Sequence, residues 1–159
     1  DTIGHQDFPV GRFVTGVTDS PVGPVRIVGV CIPWHMSNVQ YGDQNRKPWE
    51  DHLRYLELLP EVLTAYDEPV IVAGDFNQCI PRVPYGNRAA AEAMAATFDP
   101  LDVVTAGEVD GVDKPLIDHI AVRGCRATSV WAWPAVRDGV RMSDHDGTGA
   151  VIELGSADT

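Results

Sequence analysis

The sequence predicts an α+β fold, in which a mixed, mostly antiparallel β-sheet carries helices on one face. Two observations lead to this fold class. Short β-branched runs recur along the chain, and turn residues separate the first two of them. Two longer segments with helical patterns are interspersed among these runs, which indicates a mixed sheet with helices packed on one face. The length of 159 residues suits one domain, expected to span residues 1–159.

The first two strands are expected at Arg12–Val17 and Val25–Ile32, after a polar segment, residues 1–11, that is expected to be a loop. The turn residues Asp19–Pro24 lie between the two runs, so a β-hairpin is predicted. The second run is apolar enough to occupy the centre of a sheet, and it stops at Pro33.

Two helices are expected. Pro48 is predicted to begin the first helix, with Asn45 as its cap and apolar residues at helical spacing from Trp49 onward. Pro60 is expected to kink this helix or to split it in two, because proline removes a backbone donor. The second helix is predicted at the Ala-rich segment Asn87–Phe98.

The remaining strands are short apolar runs. The most apolar of them, Val70–Ala73, is expected to be buried and to end at Gly74–Asn77, where the strand passes into a loop. Four further runs are predicted to be strands: Leu101–Thr105, Leu116–Val122, Thr128–Trp133 and Gly149–Leu154.

The acidic composition limits the kinds of partner. The chain has 12 basic and 23 acidic residues and a formal net charge of −11. Tight non-specific binding to nucleic acid is not expected, because such binding depends on Lys and Arg that neutralise phosphates. An enzyme that meets phosphate through a divalent cation is compatible with this charge, since the ion reverses the local sign. No apolar run reaches the roughly 18 residues of a membrane span.

The cysteines and the N-terminus favour a cytoplasmic protein. Cys31, Cys79 and Cys125 are far apart and include no C-x-x-C pair, which argues against a disulfide scaffold and a thiolate zinc site. Reduced, partly buried thiols are expected. The first residues do not have the pattern of a secretory signal. Because the sequence does not begin with Met, it is expected to be a segment of a longer chain.

Three polar clusters lie at the ends of predicted strands, where loops can carry reactive groups on a rigid sheet. The first is Gly74–Asn77. Its Asp75 and Asn77 are two residues apart and can point the same way from an extended segment. A carboxylate beside an amide suits a water molecule near a phosphate, or a metal that prefers oxygen ligands. An Asx-type turn after a buried strand is the structural alternative.

The other two clusters contain histidines. Asp118 and His119 lie in an apolar run and are expected to point to opposite faces of the sheet, so that they do not form one pair. A half-solvated strand end is the alternative there. In Ser143–Gly147, two carboxylates flank His145, which suits a metal site or acid–base chemistry. A polar loop before the last strand is the alternative.

In this order, the segments resemble the endonuclease/exonuclease/phosphatase superfamily, whose fold is that of pancreatic deoxyribonuclease. The resemblance covers about Arg12 to Leu154 and implies half of the four-layer sandwich of that fold. It covers only the C-terminal part of the family pattern, because an early strand with Asn and a segment with a metal-binding Glu are not found. The segments that carry it are Val28–Trp34, the helix from Trp49, Val72–Asn77, Ile117–Ile120 and Ser143–His145.

The resemblance implies a metal-dependent phosphoester hydrolase, a phosphodiesterase, nuclease or phosphatase, in which water attacks phosphorus in line. Mg²⁺ or Mn²⁺ is the implied cofactor. Asp75 would orient or deprotonate the water and ligate the metal, and Asn77 would hold the phosphate or the water. Asp118 would hydrogen-bond His145 and fix its tautomer and charge. His145 would contact the non-bridging oxygens of the substrate, and Asp144 would ligate the metal.

The sequence departs from the family pattern at Cys31, where many members have a catalytic His or Tyr. His35 lies four residues further on, past Pro33. Three cations near the first helix, Arg46, Lys47 and Arg54, suit a phosphate contact or a solvated helix end. The tryptophans Trp34, Trp131 and Trp133 suit stacking on a base or ordinary packing.

The expected partner is a phosphoester substrate, which could be nucleic acid, a nucleotide or a phospholipid-like molecule. Because the family's Glu is not found, a catalytically incomplete remnant is the alternative. It would act as a binding or self-associating module through an exposed sheet face, since large exposed apolar patches mark interfaces. A binding module in which the motifs are coincidental is a third interpretation.

Overall fold

The computed structural model describes residues 7–84 and 86–155. Residues 1–6 of the predicted N-terminal loop lie outside the described part. The elements in chain order are β1 (Phe13–Ser20), β2 (Gly23–Cys31), α1 (Glu50–Thr64), β3 (Val70–Asp75), α2 (Arg88–Phe98), β4 (Asp102–Val103), β5 (Asp118–Arg123), β6 (Cys125–Trp133), β7 (Val136–Arg137), β8 (Val140–Arg141) and β9 (Gly147–Leu154).

The main sheet has five strands in the order β1-β2-β3-β5-β4. The β2–β3 pair is parallel, whereas β1–β2, β3–β5 and β4–β5 are antiparallel. Both helices pack on one face of this sheet, where side chains such as Val28, Val72 and Ala121 are fully buried against α1 and α2. The predicted α+β class, with a mixed and mostly antiparallel sheet, is therefore confirmed.

Two smaller sheets complete the described part. Strands β6 and β9 form an antiparallel pair, in which Trp131 lies opposite Gly149 and Trp133 lies opposite Gly147. A side chain at either glycine would collide with the facing indole ring, so these glycines make room for the tryptophans. The short hairpin of β7 and β8 was not predicted. Neither of the two helices in the described residues is long and apolar enough to cross a membrane.

The first hairpin is tighter than predicted. Strands β1 and β2 pair as far as Ser20 and Gly23, which leaves only Pro21 and Val22 in the turn. Pairing through Asp19 and Pro24 extends the ladder beyond the β-branched runs. The two strands therefore extend into the turn segment Asp19–Pro24, and the predicted hairpin is confirmed.

The predicted start of α1 is wrong. The helix begins at Glu50, and its N-cap is Trp49 in a left-handed conformation (φ 71°) without a side-chain cap. The Trp49 N–H donates to the His35 carbonyl (2.7 Å), while the Glu50 carboxylate accepts from the Lys47 N–H (3.0 Å). These contacts place Pro48 before the helix, so Asn45 does not cap it.

Pro60 does not split α1, which continues from Glu50 to Thr64. A proline at this position leaves the Leu56 carbonyl without its usual helical donor. The Thr97 hydroxyl of α2 donates to that carbonyl at 3.1 Å. A contact from the neighbouring helix therefore offsets the lost hydrogen bond. The second helix is as predicted, with the Asn87 side chain accepting from the Ala90 N–H at 2.9 Å.

Candidate functional site

Three strand tips meet at one end of the main sheet. Strands β2 and β3 are parallel, so both end there, and the antiparallel β5 begins where β3 ends. Cys31 is paired with Asp75, and Asp75 is paired with Asp118. The pairing therefore brings the predicted clusters of β3 and β5 side by side on one row of the sheet.

Asp75 is the last residue of β3, and its carboxylate is oriented by Asn77. The Asn77 N–H donates to Asp75 Oδ1 at 2.7 Å, and Asn77 Nδ2 donates to Asp75 Oδ2 at 2.6 Å and to the Ile32 carbonyl at 2.9 Å. The first of these bonds is the Asx-type turn that the sequence left open. The turn fixes both oxygens of Asp75 at the strand tip, so it also gives the carboxylate a defined direction.

Gly74 is required where β3 passes β2. Its φ of 147° is rare for residues with a side chain, and a Cβ here would overlap the Val30 carbonyl. This close approach of the β3 backbone to β2 fixes the position of the next residue, Asp75, relative to β2.

Asp118 and His145 form a pair across the site. His145 Nδ1 lies 3.1 Å from Asp118 Oδ2, and an ionised carboxylate only accepts, so Nδ1–H donates. Both side chains are partly buried, with exposed fractions of 29% for His145 and 25% for Asp118. The tautomer leaves Nε2 directed away from Asp118, where it can contact a ligand.

Asp75, Asp118 and His145 form a compact group. One possible ligand atom from each side chain lies within 4.8 Å of the others. Burial raises the pKa of Asp75, and the neighbouring Asp118 charge raises it further, while the Asn77 N–H opposes this. Burial likewise raises the pKa of Asp118, and His145 opposes the change. Two half-buried carboxylates whose pKa values are both raised are an arrangement that a divalent cation stabilises.

Comparison with known proteins identifies the fold. No protein-family model matches the sequence, and no curated protein is similar enough to count as a relative. Solved structures do match. An endonuclease/exonuclease/phosphatase from Beutenbergia cavernae gives a TM-score of 0.59 at 22% identity, over 90% of this chain and 39% of that one. The 3′ phosphatase NExo from Neisseria, bound to a product DNA hairpin, gives 0.61 at 16% identity, over 93% and 67%.

The chain has part of the endonuclease/exonuclease/phosphatase fold. A further match, a beta toxin variant from Staphylococcus aureus with bound magnesium ions, has a TM-score of 0.55 at 16% identity. It is covered over 57% of its length by 87% of this chain. At these identities the likeness shows the fold alone. The chain spans about half of the toxin and 39% of the Beutenbergia protein, so only part of their architecture is compared.

Asp144 lies apart from the compact group of this endonuclease/exonuclease/phosphatase fold. Its side chain is 84% exposed, and its Oδ2 is 3.8 Å from His145 Nε2. Asp146 has a backbone role, because its Oδ1 accepts from the Ala135 N–H at 2.7 Å. Of the two acids that flank His145, neither belongs to the compact group. The metal-ligand role of Asp144 stays a prediction.

His119 points away from Asp118, as predicted. It is buried, with Nδ1 3.1 Å from the Thr105 hydroxyl and Nε2 3.1 Å from the Gln78 carbonyl. Burial lowers the pKa of His119, so its neutral form is favoured. A neutral ring that donates from Nε2 accepts from Thr105 at Nδ1, and both ring nitrogens are then satisfied.

The sequence did not single out His52 and Gln78, which support the loop after β3. His52 is fully buried, with Nδ1 2.8 Å from the Pro33 carbonyl and Nε2 3.1 Å from the Gln78 side-chain amide. Burial lowers the pKa of His52. The signal that was available is its spacing, because His52 lies on the same helical face as the buried Leu56 and Leu59.

Cys31 and two of the three predicted cations have local partners. The Arg12 guanidinium donates to the Cys31 sulfur at 3.2 Å, and burial raises the pKa of this thiol, with Asp75 and Asp118 adding to the effect. Arg46 and Arg54 lie near Glu50, at 3.1 and 3.8 Å. Ion pairs at the start of α1 therefore occupy both arginines, which favours a solvated helix end over a phosphate contact.

Proposed function

We propose that this chain is part of a metal-dependent phosphoester hydrolase, a phosphodiesterase, nuclease or phosphatase, that catalyses in-line attack of water on phosphorus. The observation that carries this proposal is the convergence of Asp75, Asp118 and His145 at the strand tips. Its setting supports the proposal, because the same fold occurs in a 3′ phosphatase bound to a DNA product and in a toxin with bound magnesium.

The residues at the site fit a hard divalent cation. Mg²⁺ and Mn²⁺ favour carboxylate oxygens, and two carboxylates with raised pKa values face each other here. Asp75 would hold the ion together with Asp144, as the sequence predicts, or with Asp118, which is closer to it in the structure. When bound, the ion would offset negative charge on the phosphoryl oxygens and on the leaving group.

The side chains of the chain itself would perform the remaining steps. Asp75, with both oxygens oriented by Asn77, would accept a proton from the water as its oxygen bonds to phosphorus and the ester P–O bond breaks. Asn77 would hold the phosphate or the water. Asp118 would keep His145 protonated at Nδ1, so that an Nε2–H of the imidazolium can donate to a non-bridging oxygen.

Predictions of the substrate, the location and the domain accompany the proposed activity. The proposed substrate is a phosphoester in nucleic acid, a nucleotide or a phospholipid-like molecule. The net charge of −11 argues against tight non-specific binding to nucleic acid. A cytoplasmic location, which reduced cysteines favour, and a single domain over residues 1–159 stay predictions.

The proposal is tested by hydrolysis of bis-p-nitrophenyl phosphate by the 159-residue chain, with Mg²⁺ or Mn²⁺ and with EDTA. We expect turnover that requires the metal, and a rate about 10²–10⁴-fold lower in Asp75→Asn, the loss typical of a missing general base. Asp19→Asn is the matched control, because Asp19 is exposed at the opposite end of the sheet. Turnover that ignores EDTA, or equal rates in Asp75→Asn and the unchanged chain, would contradict the proposal.

Self-association is a second candidate role. On the sheet face away from the helices, Val14 is 46% exposed and Ile27 is 40% exposed. We propose that this face pairs two copies of the chain. Sedimentation over a range of concentrations is expected to show a dimer that Ile27→Asp disrupts, while Val22→Asp at the hairpin turn does not. A monomer at all concentrations would exclude this role.

A further inference from the structure

A cavity of about 490 Å³ opens beside Asn77, at the edge of the candidate site. Its lining includes His35, Trp49, Gln78 and Arg82. Its volume lies in the range of sites for small molecules, about 300–1,000 Å³. We propose that this cavity binds the base of a nucleotide whose phosphate lies at the Asp75–His145 site. The inference rests on the proposed function and adds to it a substrate class and the residues that select it.

One wall of the cavity is aromatic and firmly held. The rings of His35 and Trp49 have their centroids 5.4 Å apart with planes tilted by 34°. The Trp49 ring also meets His52 edge-on at 5.1 Å, and His52 is fixed by the Pro33 carbonyl and the Gln78 amide. A ring held from behind provides a flat surface on which a base can stack at little cost in side-chain entropy.

The backbone of Trp49 supports this interpretation. Trp49 has a φ of 71°, in the left-handed region that residues with a side chain rarely adopt. The left-handed conformation places the indole between His35 and His52 at the start of α1. Strained residues of this kind recur at ligand-binding positions, where a defined side-chain direction is needed.

A cation, Arg82, also lines the cavity. Arg82 Nη1 donates to the carbonyls of Val83, Pro84 and Gly86, at 3.2, 3.0 and 2.9 Å. These bonds fix the guanidinium without neutralising it, and no carboxylate forms an ion pair with Arg82 within residues 7–84 and 86–155. On a chain with a net charge of −11, a fixed and unpaired cation suits an anionic or carbonyl-bearing ligand.

The cavity and the candidate site share a loop. Asn77 lines the cavity and also donates to Asp75, so a phosphate beside Asp75 leaves its ester group next to Asn77. Trp49 and Arg82 line the same cavity as Asn77. A planar base with polar edges matches a cavity lined by an aromatic wall and a guanidinium.

A lipid tail fits the same cavity less well. A second cavity of about 320 Å³ adjoins it at Gln78 and Arg82, and Met94 and Phe98 line that cavity. An aliphatic chain would favour this apolar space, whereas the cavity beside Asn77 presents rings and a cation. The two substrate classes therefore predict different ligands, and the experiment includes a probe for each.

The decisive experiment compares adenosine 5′-monophosphate with ribose 5-phosphate by calorimetric titration of the 159-residue chain in EDTA. The two probes share the sugar and the phosphate and differ only in the base. We expect the adenosine compound to bind about tenfold more tightly, in line with the effect of one stacked base. Equal binding of the two probes would overturn the proposal, as would tighter binding of a lysophospholipid than of adenosine 5′-monophosphate.

Variants locate the subsite. Trp49→Ala is expected to remove the preference for the base, and Trp49→Phe is expected to retain most of it. Trp131→Ala is the control, since Trp131 lies on the other sheet opposite Gly149. If Trp49→Ala does not fold, as judged by circular dichroism, Trp49→Phe and the comparison of probes on the unchanged chain still decide. A preference that survives in folded Trp49→Ala would overturn the assignment.

Arg82 provides an independent variant. Arg82→Ala is expected to weaken binding of adenosine 5′-monophosphate several-fold, while Arg88→Ala, at an exposed Arg that pairs with Glu92, leaves it unchanged. Equal binding in the two variants would remove Arg82 from the subsite. Base-selective binding by a chain that hydrolyses no phosphoester would overturn the proposed function and leave the subsite standing. Metal-dependent hydrolysis without base selectivity would overturn the subsite alone.

Discussion

The buried histidines His52 and His119 differ from the partly exposed His145 in the residues that surround them. His52 and His119 are buried on either side of Gln78, and each of their ring nitrogens has a polar neighbour within the fold. His145 is partly exposed, and its Nδ1–H donates to the carboxylate of Asp118. Histidine therefore occurs in two settings in this region, buried in the fold and partly exposed at the surface.

The surroundings decide what each ring can do. Burial lowers the pKa of His52 and His119, so both favour the neutral form. His52 contacts the side chain of Gln78, and His119 contacts its backbone carbonyl. A neutral, fully bonded ring can position a loop but has no nitrogen left for a substrate. His145 keeps Nε2 for a ligand, because its Nδ1–H donates to the carboxylate of Asp118. We therefore expect that the buried pair supports the fold and that His145 takes part in chemistry.

The largest expected effect is on activity. His145→Ala should lower kcat/KM for bis-p-nitrophenyl phosphate by about 10²–10⁴-fold, because a positioned donor to the phosphoryl oxygens is removed. The thermal melting temperature should change little, since the side chain is partly solvated and its removal leaves Asp118 near water. Steady-state kinetics and a melting curve of the same sample check both statements. Full activity in His145→Ala would place His145 with the structural histidines.

His119→Ala should show the opposite behaviour. Removing a fully packed ring leaves a cavity and strands the Gln78 carbonyl and the Thr105 hydroxyl, so we expect a loss of about 2–4 kcal/mol in the free energy of unfolding. Urea denaturation measures this loss. Thr105→Val is the graded control, because it removes the two hydrogen bonds of the hydroxyl, with His119 Nδ1 and with the Ile120 N–H, and nearly keeps the volume. A variant as stable as the unchanged chain would show that the His119 contacts do not stabilise the fold.

The sequence could predict the strand tips because local patterns determine them. An apolar run followed by Gly74 and Asp75 marks the end of a buried strand, and the alternation of side chains predicts that Asp118 and His119 part. The structure bears out both expectations. Each depends on period and composition within about ten residues, which is the distance over which sequence patterns report on structure.

Contacts between distant segments could not be predicted in this way. The start of α1 depends on the His35 carbonyl, and the continuation through Pro60 depends on Thr97, 41 residues from the carbonyl that it bonds. Asp144 adjoins His145 in sequence, yet its side chain is largely exposed. Neighbouring residues in a loop share no fixed direction, so the motif could indicate a site without indicating which acid faces it.

The dependence of the free energy of unfolding on pH is expected to be an effect of intermediate size. The pKa values of His52 and His119 are lowered in the folded chain, so the unfolded chain binds more protons once the pH falls below its histidine pKa of about 6.5. Stability is fully present above that value and is lost as the pH falls through the lowered pKa values. Urea titrations at pH 8, 7, 6 and 5 should show this loss. His52→Gln should reduce the slope by about half, since one of two such groups is removed.

The smallest expected effect is a change in melting temperature when Asp118, the carboxylate partner of His145, is replaced. Burial raises the pKa of Asp118, so its ionised form costs stability at neutral pH, and this cost disappears below the unfolded pKa of about 3.9. In EDTA, Asp118→Asn should therefore melt a few degrees higher than the unchanged chain at pH 7 and at nearly the same temperature at pH 3.5. Asp144→Asn, at an exposed position, should show no such gain.

Mg²⁺ should raise the melting temperature of the unchanged chain and of neither Asp75→Asn nor Asp118→Asn, since a ligand stabilises only the state that binds it. If Mg²⁺ stabilises Asp118→Asn but not Asp144→Asn, the ion is held by Asp144, and Asp118 serves His145 alone.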